Sequence, residues 1–477
     1  MSESLKQRTF KGTIWSSVER FSVQGISFIV MIIMARVLTP DDYGLVGMLT
    51  IFIAVAQSLV DSGFSNALIR KLDRSETDNS TVFYFNIIVG ILLYVILFFC
   101  APLIADFYNE PLLIPMTRLI SLSIPINSLV VVQRALLTVN LDFKTQAKAS
   151  LTAAIIAGTV GITMAYTGFG VWAIVWYQLV NLVVSICLIW VFSNWHPRLV
   201  YSWSSFRELF GFGSKLAISS IISTLYDNIY LIVIGKVFRA ADLGYYTRAS
   251  QFAQFPSSNL TGIIGRVTYP VLCTMQDDDE HLRSVYRRFI RLSAFVIFPL
   301  MIGLAAVANP LILILLKEKW MFASSLLSII CFSMMWYPIH AINLNLLQVK
   351  GRSDLFLKLE IIKKIIGVAI LCTTVPLGLV AMCYGSIASS ILCLVVNTHY
   401  TGKLIQVGFM TQMRDLSPTL LYSFSMGAIV FLLVQILPNP GLQLTSGIIV
   451  GALYFALVTI VTHSKDLQEL ISFVKSK

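Results

Sequence analysis

Arg36-Val37-Leu38-Thr39-Pro40-Asp41-Asp42-Tyr43-Gly44 returns without a gap as Lys236-Val237-Phe238-Arg239-Ala240-Ala241-Asp242-Leu243-Gly244, 200 residues further along the chain. At that offset Phe10/Phe210, Ile29/Ile229, Ile32/Ile232, Val37/Val237, Asp42/Asp242 and Gly44/Gly244 are identical, and Arg36/Lys236 keep their charge. Two apolar helices can match by chance, but chance does not account for the polar loop that follows both. Other echoes appear once insertions let the offset drift. Pro125 matches Pro338, Ala101-Pro102-Leu103-Ile104 resembles Asn309-Pro310-Leu311-Ile312, and Gly170-Val171-Trp172-Ala173 resembles Gly378-Leu379-Val380-Ala381. The chain reads as two similar halves.

Those halves are written in membrane-helix sequence. The 477 residues are 57% hydrophobic and 12% charged, with a mean hydropathy of +0.80. Soluble domains carry about 25% charged residues, so this chain must expose apolar surface to lipid. Crossing the hydrocarbon core takes about 20 mostly apolar residues. On that rule spans are expected near 14–35, 44–68, 82–105, 113–137, 146–166 and 171–192, then near 213–235, 245–271, 290–316, 324–348, 358–377 and 380–400. Two more, near 417–437 and 443–462, have no counterpart in the repeat. The expected fold is an all-α polytopic membrane protein of about 14 transmembrane helices: two pseudo-symmetric six-helix lobes and two C-terminal helices. The expected boundaries are 1–205, 206–405 and 406–477, with the polar, aromatic stretch Ser193–Arg207 as the linker. Six spans is an even number, so the repeat is parallel rather than inverted, and two such halves suit alternating access with a substrate site between them. The N-terminal run has no small-residue cleavage site and is expected to be retained as a helix.

The net charge of +11 does not point to nucleic acid, because the cations sit between hydrophobic runs, where they set membrane orientation. Placing the N-terminus inside gathers Lys6, Arg8, Lys11, Arg70, Lys71, Arg74, Lys144, Lys148, Arg283, Arg287, Arg288 and Arg291 on the cytoplasmic side, with most of the rest. The outside loops keep only Arg36, Lys236, Arg239, Lys317 and Lys319. Both termini and the linker are therefore expected in the cytoplasm.

No soluble-enzyme motif is present. There is no phosphate loop; Gly211-Phe212-Gly213-Ser214-Lys215 lacks both the spacing and a preceding strand. The seven cysteines include no C-x-x-C pair, so neither a disulfide framework nor a zinc site is expected. No catalytic residue, metal or cofactor is expected. A membrane polymerase or ligase would normally need a sizeable outside loop for its catalytic site, and all outside loops here look short. His340, alone in mid-span, reads more readily as a residue bonded to a neighbouring helix than as a ligand.

Charges inside spans carry the functional signal. A charge at the bilayer centre costs about 2.5–3.5 kcal/mol on insertion scales, so those retained usually face a cavity or one another. They are Glu19 and Arg20 in the first span, Asp61 in the second, Arg118 and Arg134 in the fourth, Lys215 and Asp227 in the seventh, Arg248 and Arg266 in the eighth, and Glu360, Lys363 and Lys364 in the eleventh. Snorkelling from helix ends is the competing explanation for Arg118, Arg134, Lys215 and the eleventh-span lysines. It suits Asp61 poorly, because a short carboxylate cannot reach far. Arg20, Arg248 and Arg266, with Arg134 and Lys215, form the expected binding set, whose cationic character suits a large anion such as a lipid diphosphate. It also disfavours a drug/cation antiporter, which would need acidic residues. Glu19, Asp61 and Asp227 are the expected ion-coupling carboxylates, since a carboxylate near arginines can switch protonation as access changes.

The stretch Ala35-Arg36-Val37-Leu38-Thr39-Pro40-Asp41-Asp42-Tyr43-Gly44 resembles the polysaccharide-transport branch of the multidrug/oligosaccharidyl-lipid/polysaccharide superfamily, nearest to Wzx-type flippases of the colanic-acid exporter group. Leu72-Asp73-Arg74, Pro102-Leu103-Ile104-Ala105-Asp106-Phe107-Tyr108 and Gln133-Arg134-Ala135-Leu136-Leu137 add to the likeness, which covers about the first 400 residues. The resemblance implies flipping of undecaprenyl-diphosphate-linked oligosaccharide across a bacterial inner membrane, driven by a proton or sodium gradient. The partners it implies are the lipid-linked oligosaccharide, membrane lipids and other polysaccharide-assembly proteins.

Overall fold

A computed structural model describes residues 3–61, 63–71 and 73–469; side chains at 3–14, 16–18, 61, 212 and 215 lie outside that description. The chain divides into two compact units, Met1–Gly244 and Tyr245–Lys477. The first holds α1 (Glu3–Val37), α2 (Pro40–Asp61), α3 (Phe64–Arg70), α4 (Glu76–Tyr108), α5 (Leu113–Ile120), α6 (Ser123–Ser128), α7 (Val131–Val139), α8 (Phe143–Tyr166), α9 (Val171–Phe192), α10 (Trp203–Asp227) and α11 (Ile229–Val237). It also holds the first turn of α12 (Ala240–Cys273). The second has the rest of α12, then α13 (Asp279–Ala306), α14 (Ala308–Leu316), α15 (Met321–Met334), α16 (Tyr337–Val349), α17 (Ser353–Thr374), α18 (Leu379–Ile405), α19 (Phe409–Ile436) and α20 (Pro440–Val461).

The protein is an all-helical multi-pass membrane protein. Among the described residues, 10 helical stretches are long and apolar enough to cross a membrane, or 12 if each of two bent pairs is one span. The two expected spans beyond these are helical as well, as α12 and α17. Their polar side chains, such as Arg248, Gln251 and Arg266 in one and Glu360, Lys363 and Lys364 in the other, dilute their hydropathy.

Helix starts follow from local chemistry. Thr39 and Asp42 form a capping box: the Thr39 N–H and hydroxyl donate to Asp42 Oδ2 at 2.8 and 2.7 Å, and the Asp42 N–H donates to Thr39 Oγ1 at 3.3 Å. Pro40 then occupies the first helical position, where its missing N–H costs nothing. In the second copy Arg239 replaces the threonine, and half the box survives as Arg239 N–H donating to Asp242 Oδ2 at 3.2 Å. Ser75 and Asp78 close the same box at the start of α4. Gly170 and Gly378, each one residue before a helix, have φ of 55° and 103°, which only glycine adopts freely. The repeat therefore recurs in backbone conformation as well as in residue type.

The fourth span of each half is broken near its proline. Pro125 has no N–H for the Ser121 carbonyl, which accepts instead from the Ile124 N–H at 3.0 Å, and the chain splits into α5, α6 and α7. Pro338 likewise leaves the Met334 carbonyl free; there the Ser257 hydroxyl of α12 donates to it at 2.8 Å. The seventh span departs from a single straight helix. It bends by 47° between Trp203–Gly211 and Leu216–Asp227 and breaks at Asn228, whose side-chain amide donates to the Thr224 carbonyl at 2.8 Å. A short amide that bonds back to the preceding turn competes with helix continuation.

Within the second unit a buried network ties four helices. Tyr286 donates to Asn343 Oδ1 at 2.9 Å, and Asn343 and Gln412 exchange amide bonds at 3.2 and 3.0 Å. Thr401 closes it from α18. One face of α13 carries Arg287, bidentate to Asp415 at 2.6 and 2.7 Å, and Arg291, which grips Asp466 at 2.9 Å and Glu469 at 3.1 Å. His340 is held by Ser390 and Asn397 of α18, each at 3.1 Å. It is a helix-to-helix tie, as its isolation in the sequence suggests.

Candidate functional site

Among the described glycines, those along the α2 seam in the first unit come closest to main chain of another helix. A Cβ on Gly44 would lie 1.8 Å from the Ala240 carbonyl oxygen, and one on Gly244 would lie 1.9 Å from that of Pro40. The contact is reciprocal: 44 meets 240 and 244 meets 40, the relation expected of a two-fold pair. The two copies of the repeat thus meet at their own loop–helix junctions. Only glycine lets backbones come this close, as in small-residue crossings between membrane helices.

The other end of α2 meets α10. A Cβ on Gly63 would fall 2.5 Å from the Gly213 carbonyl oxygen, and the Ser58 and Ser220 hydroxyls share a hydrogen bond of 2.6 Å. Beyond them Lys71 donates to Glu208 at 2.9 Å and pairs with Asp78 at 3.2 Å. Lys71 lies between spans, and its bond to Glu208 raises its pKa above the usual lysine value against the cost of burial, with Asp78 adding to the rise. So α2 is clasped at one end by glycine on main chain and near the other by a second glycine and shared hydroxyls, while Lys71 after α3 ties to α4 and α10.

The expected site residues distribute as follows. Glu19 on α1 accepts a hydrogen bond from the Ser150 hydroxyl of α8 at 2.8 Å, while Arg20 beside it is exposed. Asp61 closes α2 and Lys215 lies in α10; both side chains are outside the described residues. Asp227 is the last residue of α10, exposed at the helix break. Arg134 is half-buried on α7, and its carbonyl accepts from the Thr138 hydroxyl at 2.8 Å. In the second unit Arg248 is half-buried and Arg266 exposed on the same helix, α12. Arg118 stacks 4.5 Å over the Phe98 ring, and Glu360 pairs with Lys363 one turn away. Among the described residues no group of three or more histidine, cysteine or acidic side chains could hold a metal ion. The reciprocal use of Gly44 and Gly244 was visible in the sequence as an identity, but not as a contact.

Residues 33–325 match the family described as "Polysaccharide biosynthesis protein". The lipopolysaccharide biosynthesis protein WzxC of Escherichia coli (strain K12) is 28% identical to this chain over 76% of its length and 74% of WzxC. The succinoglycan biosynthesis transport protein ExoT of Rhizobium meliloti (strain 1021) is 23% identical over 97% of this chain and 95% of ExoT. Among solved structures, the lipid II flippase MurJ in an inward closed conformation matches with a TM-score of 0.79 at 14% identity, over 96% of this chain and all of that one. At that identity the likeness concerns the fold.

Proposed function

The chain belongs to the polysaccharide biosynthesis protein family, and from that premise we propose that it flips undecaprenyl-diphosphate-linked oligosaccharide from the cytoplasmic to the outer leaflet of a bacterial inner membrane. The observation that carries this reading is the meeting of two independent likenesses: relatives named for polysaccharide biosynthesis and transport, and a flippase fold over nearly the whole chain. The internal repeat supports alternating access, in which two similar halves expose one site to each side in turn. The energetic problem is the polar head, since the polyprenyl tail never leaves hydrocarbon. Arginines answer it, because a guanidinium offers phosphate a planar, paired set of donors.

On this reading Arg248 and Arg266, with Arg20, Arg134 and Lys215, receive the diphosphate, and Glu19, Asp61 and Asp227 couple the cycle to a proton or sodium gradient. Both termini lie in the cytoplasm, and other polysaccharide-assembly proteins supply the substrate and consume the product. The test is reconstitution of the purified chain into liposomes with a fluorescent undecaprenyl-diphosphate-linked oligosaccharide, reading its movement between leaflets. Arg248→Ala and Arg266→Ala should each slow transport about ten- to a hundredfold, the effect of losing one charge-assisted hydrogen bond. Absence of any protein-dependent movement would overturn the function; full rates in both variants would remove these arginines from the site. Asp61→Asn should yield transport that no longer responds to an imposed gradient.

A further inference from the structure

A cavity of about 540 Å³ lies in the first unit between α2 and α4, closed at its back by α10 and α11. Its walls are the Ile51–Leu59 face of α2 and a stripe of α4 from Leu93 to Phe107, with Leu225 and Ile232 behind. Apart from the Cys100 thiol every lining side chain is a hydrocarbon. The stripe recurs at helical spacing (Leu93, Ile96, Leu97, Cys100, Leu103, Ile104, Phe107), so one face of α4 forms a continuous gutter. Leu103 is 68% exposed and Phe107 41% exposed along its rim. On the same helix Ile88 and Phe99 are bare as well. The rim of the groove is therefore exposed.

One end of this groove is charged. The Lys236 ammonium stands 4.8 Å from the centre of the Phe107 ring and donates to the Phe107 carbonyl, and the lysine is exposed. A hydrocarbon gutter with a cation at its mouth matches a lipid whose head is an anion. The length narrows the choice. From Leu93 to Phe107 a helix rises about 21 Å at ~1.5 Å per residue, whereas one leaflet of a ~30 Å core is about 15 Å deep. A chain longer than one leaflet fills the groove.

We infer that the α2/α4 groove binds the isoprenoid chain of a polyprenyl phosphate, with Lys236 at its phosphate. This rests on the proposed function for the identity of the lipid and adds to it a place for the tail, on the first unit. A tail held there keeps the head close to α11 at the Phe107 end of α4.

The experiment uses the full chain in nanodiscs and undecaprenyl phosphate carrying a photoreactive group at its chain end, beside phosphatidylglycerol with the same group. The polyprenyl probe should cross-link to the peptide spanning 93–107, and unlabelled undecaprenyl phosphate should compete where phosphatidylglycerol does not. Cys100→Trp should cut that labelling roughly tenfold by overfilling the groove, and Phe99→Trp, on the lipid-facing side of the same helix, should not. Leu225→Trp fills the groove from its other wall should Cys100→Trp fail to fold. Lys236→Gln should weaken capture of the phosphate probe several-fold and leave a photoreactive undecaprenol unaffected. Equal labelling by both lipids would make the groove a seat for ordinary bilayer lipid and overturn the inference, as would labelling indifferent to both tryptophans. Labelling is read without transport, so the two readings fail separately. Groove labelling without flipping sinks the function and keeps the site; flipping without groove labelling does the reverse.

Discussion

Gly44 and Gly244 show how much one missing side chain can decide. Each sits in the first turn of a helix whose opposite number presents a bare carbonyl where a methyl group would go. Neither has a positive φ, so the requirement is space and not backbone freedom. Gly44→Ala should destabilise the protein by about 1–3 kcal/mol, the usual cost of overpacking, and Gly244→Ala should do the same. Because both changes push apart one contact, the double variant should lose less than the sum of the singles. Thermal unfolding of the four proteins in one detergent checks this; additive losses would mean the two glycines act independently. Thr39 and Asp42 make a contrasting case, since their capping box joins residues only three apart. Glu19 and its partner Ser150 are separated by 131 residues.

At the scale of elements, the basic end of α13 has a use that the orientation rule does not supply. Arg287 and Arg291 bind Asp415 at the start of α19 and Asp466 and Glu469 beyond α20. Positive charge here fastens the last spans to α13. Burial pushes the Asp466 carboxyl above its ordinary value, although Arg291 pulls the other way. A group whose proton is favoured in the docked state gives its docking most at low pH. The attachment should therefore weaken as pH climbs from the ordinary carboxylate value through the raised one, with Arg291 limiting the loss. Arg291→Ala removes both of its ion pairs and leaves Asp466 buried without that partner. The segment 464–469 should then be cut by protease at least several-fold faster than in the native chain at neutral pH, with the rest of the protein unaffected. Unchanged cleavage would mean that the Arg288–Glu469 pair and apolar contacts hold it without Arg291.

For the molecule as a whole, the positive-inside count makes a topological statement that solution chemistry can check. In a background with its seven native cysteines replaced, Ser204→Cys places a thiol at an exposed position early in α10. A membrane-impermeant maleimide should leave it unlabelled in intact cells and label it in inverted vesicles. Labelling from outside would reverse the orientation, and with it the direction of flipping.

The sequence by itself determined that this is a membrane protein, that it is helical and where most of its spans fall, and it carries the repeat of 36–44 at 236–244. Those properties are local: hydropathy needs about 20 consecutive residues, a cap needs four, and a repeat needs only comparison along the chain. It also carried the family, through residues around Thr39-Pro40-Asp41-Asp42. Only the tertiary structure decided which glycines touch which carbonyls, that the seventh span breaks at Asn228, that Ser257 satisfies the carbonyl freed by Pro338, and that α2 and α4 leave an apolar groove between them. All but the break at Asn228, whose amide bonds back to the preceding turn, depend on backbone groups or faces brought together from distant parts of the chain. In lipid an apolar side chain gains nothing in transfer by packing on another helix, so hydropathy identifies a span without saying which of its faces meets a neighbour.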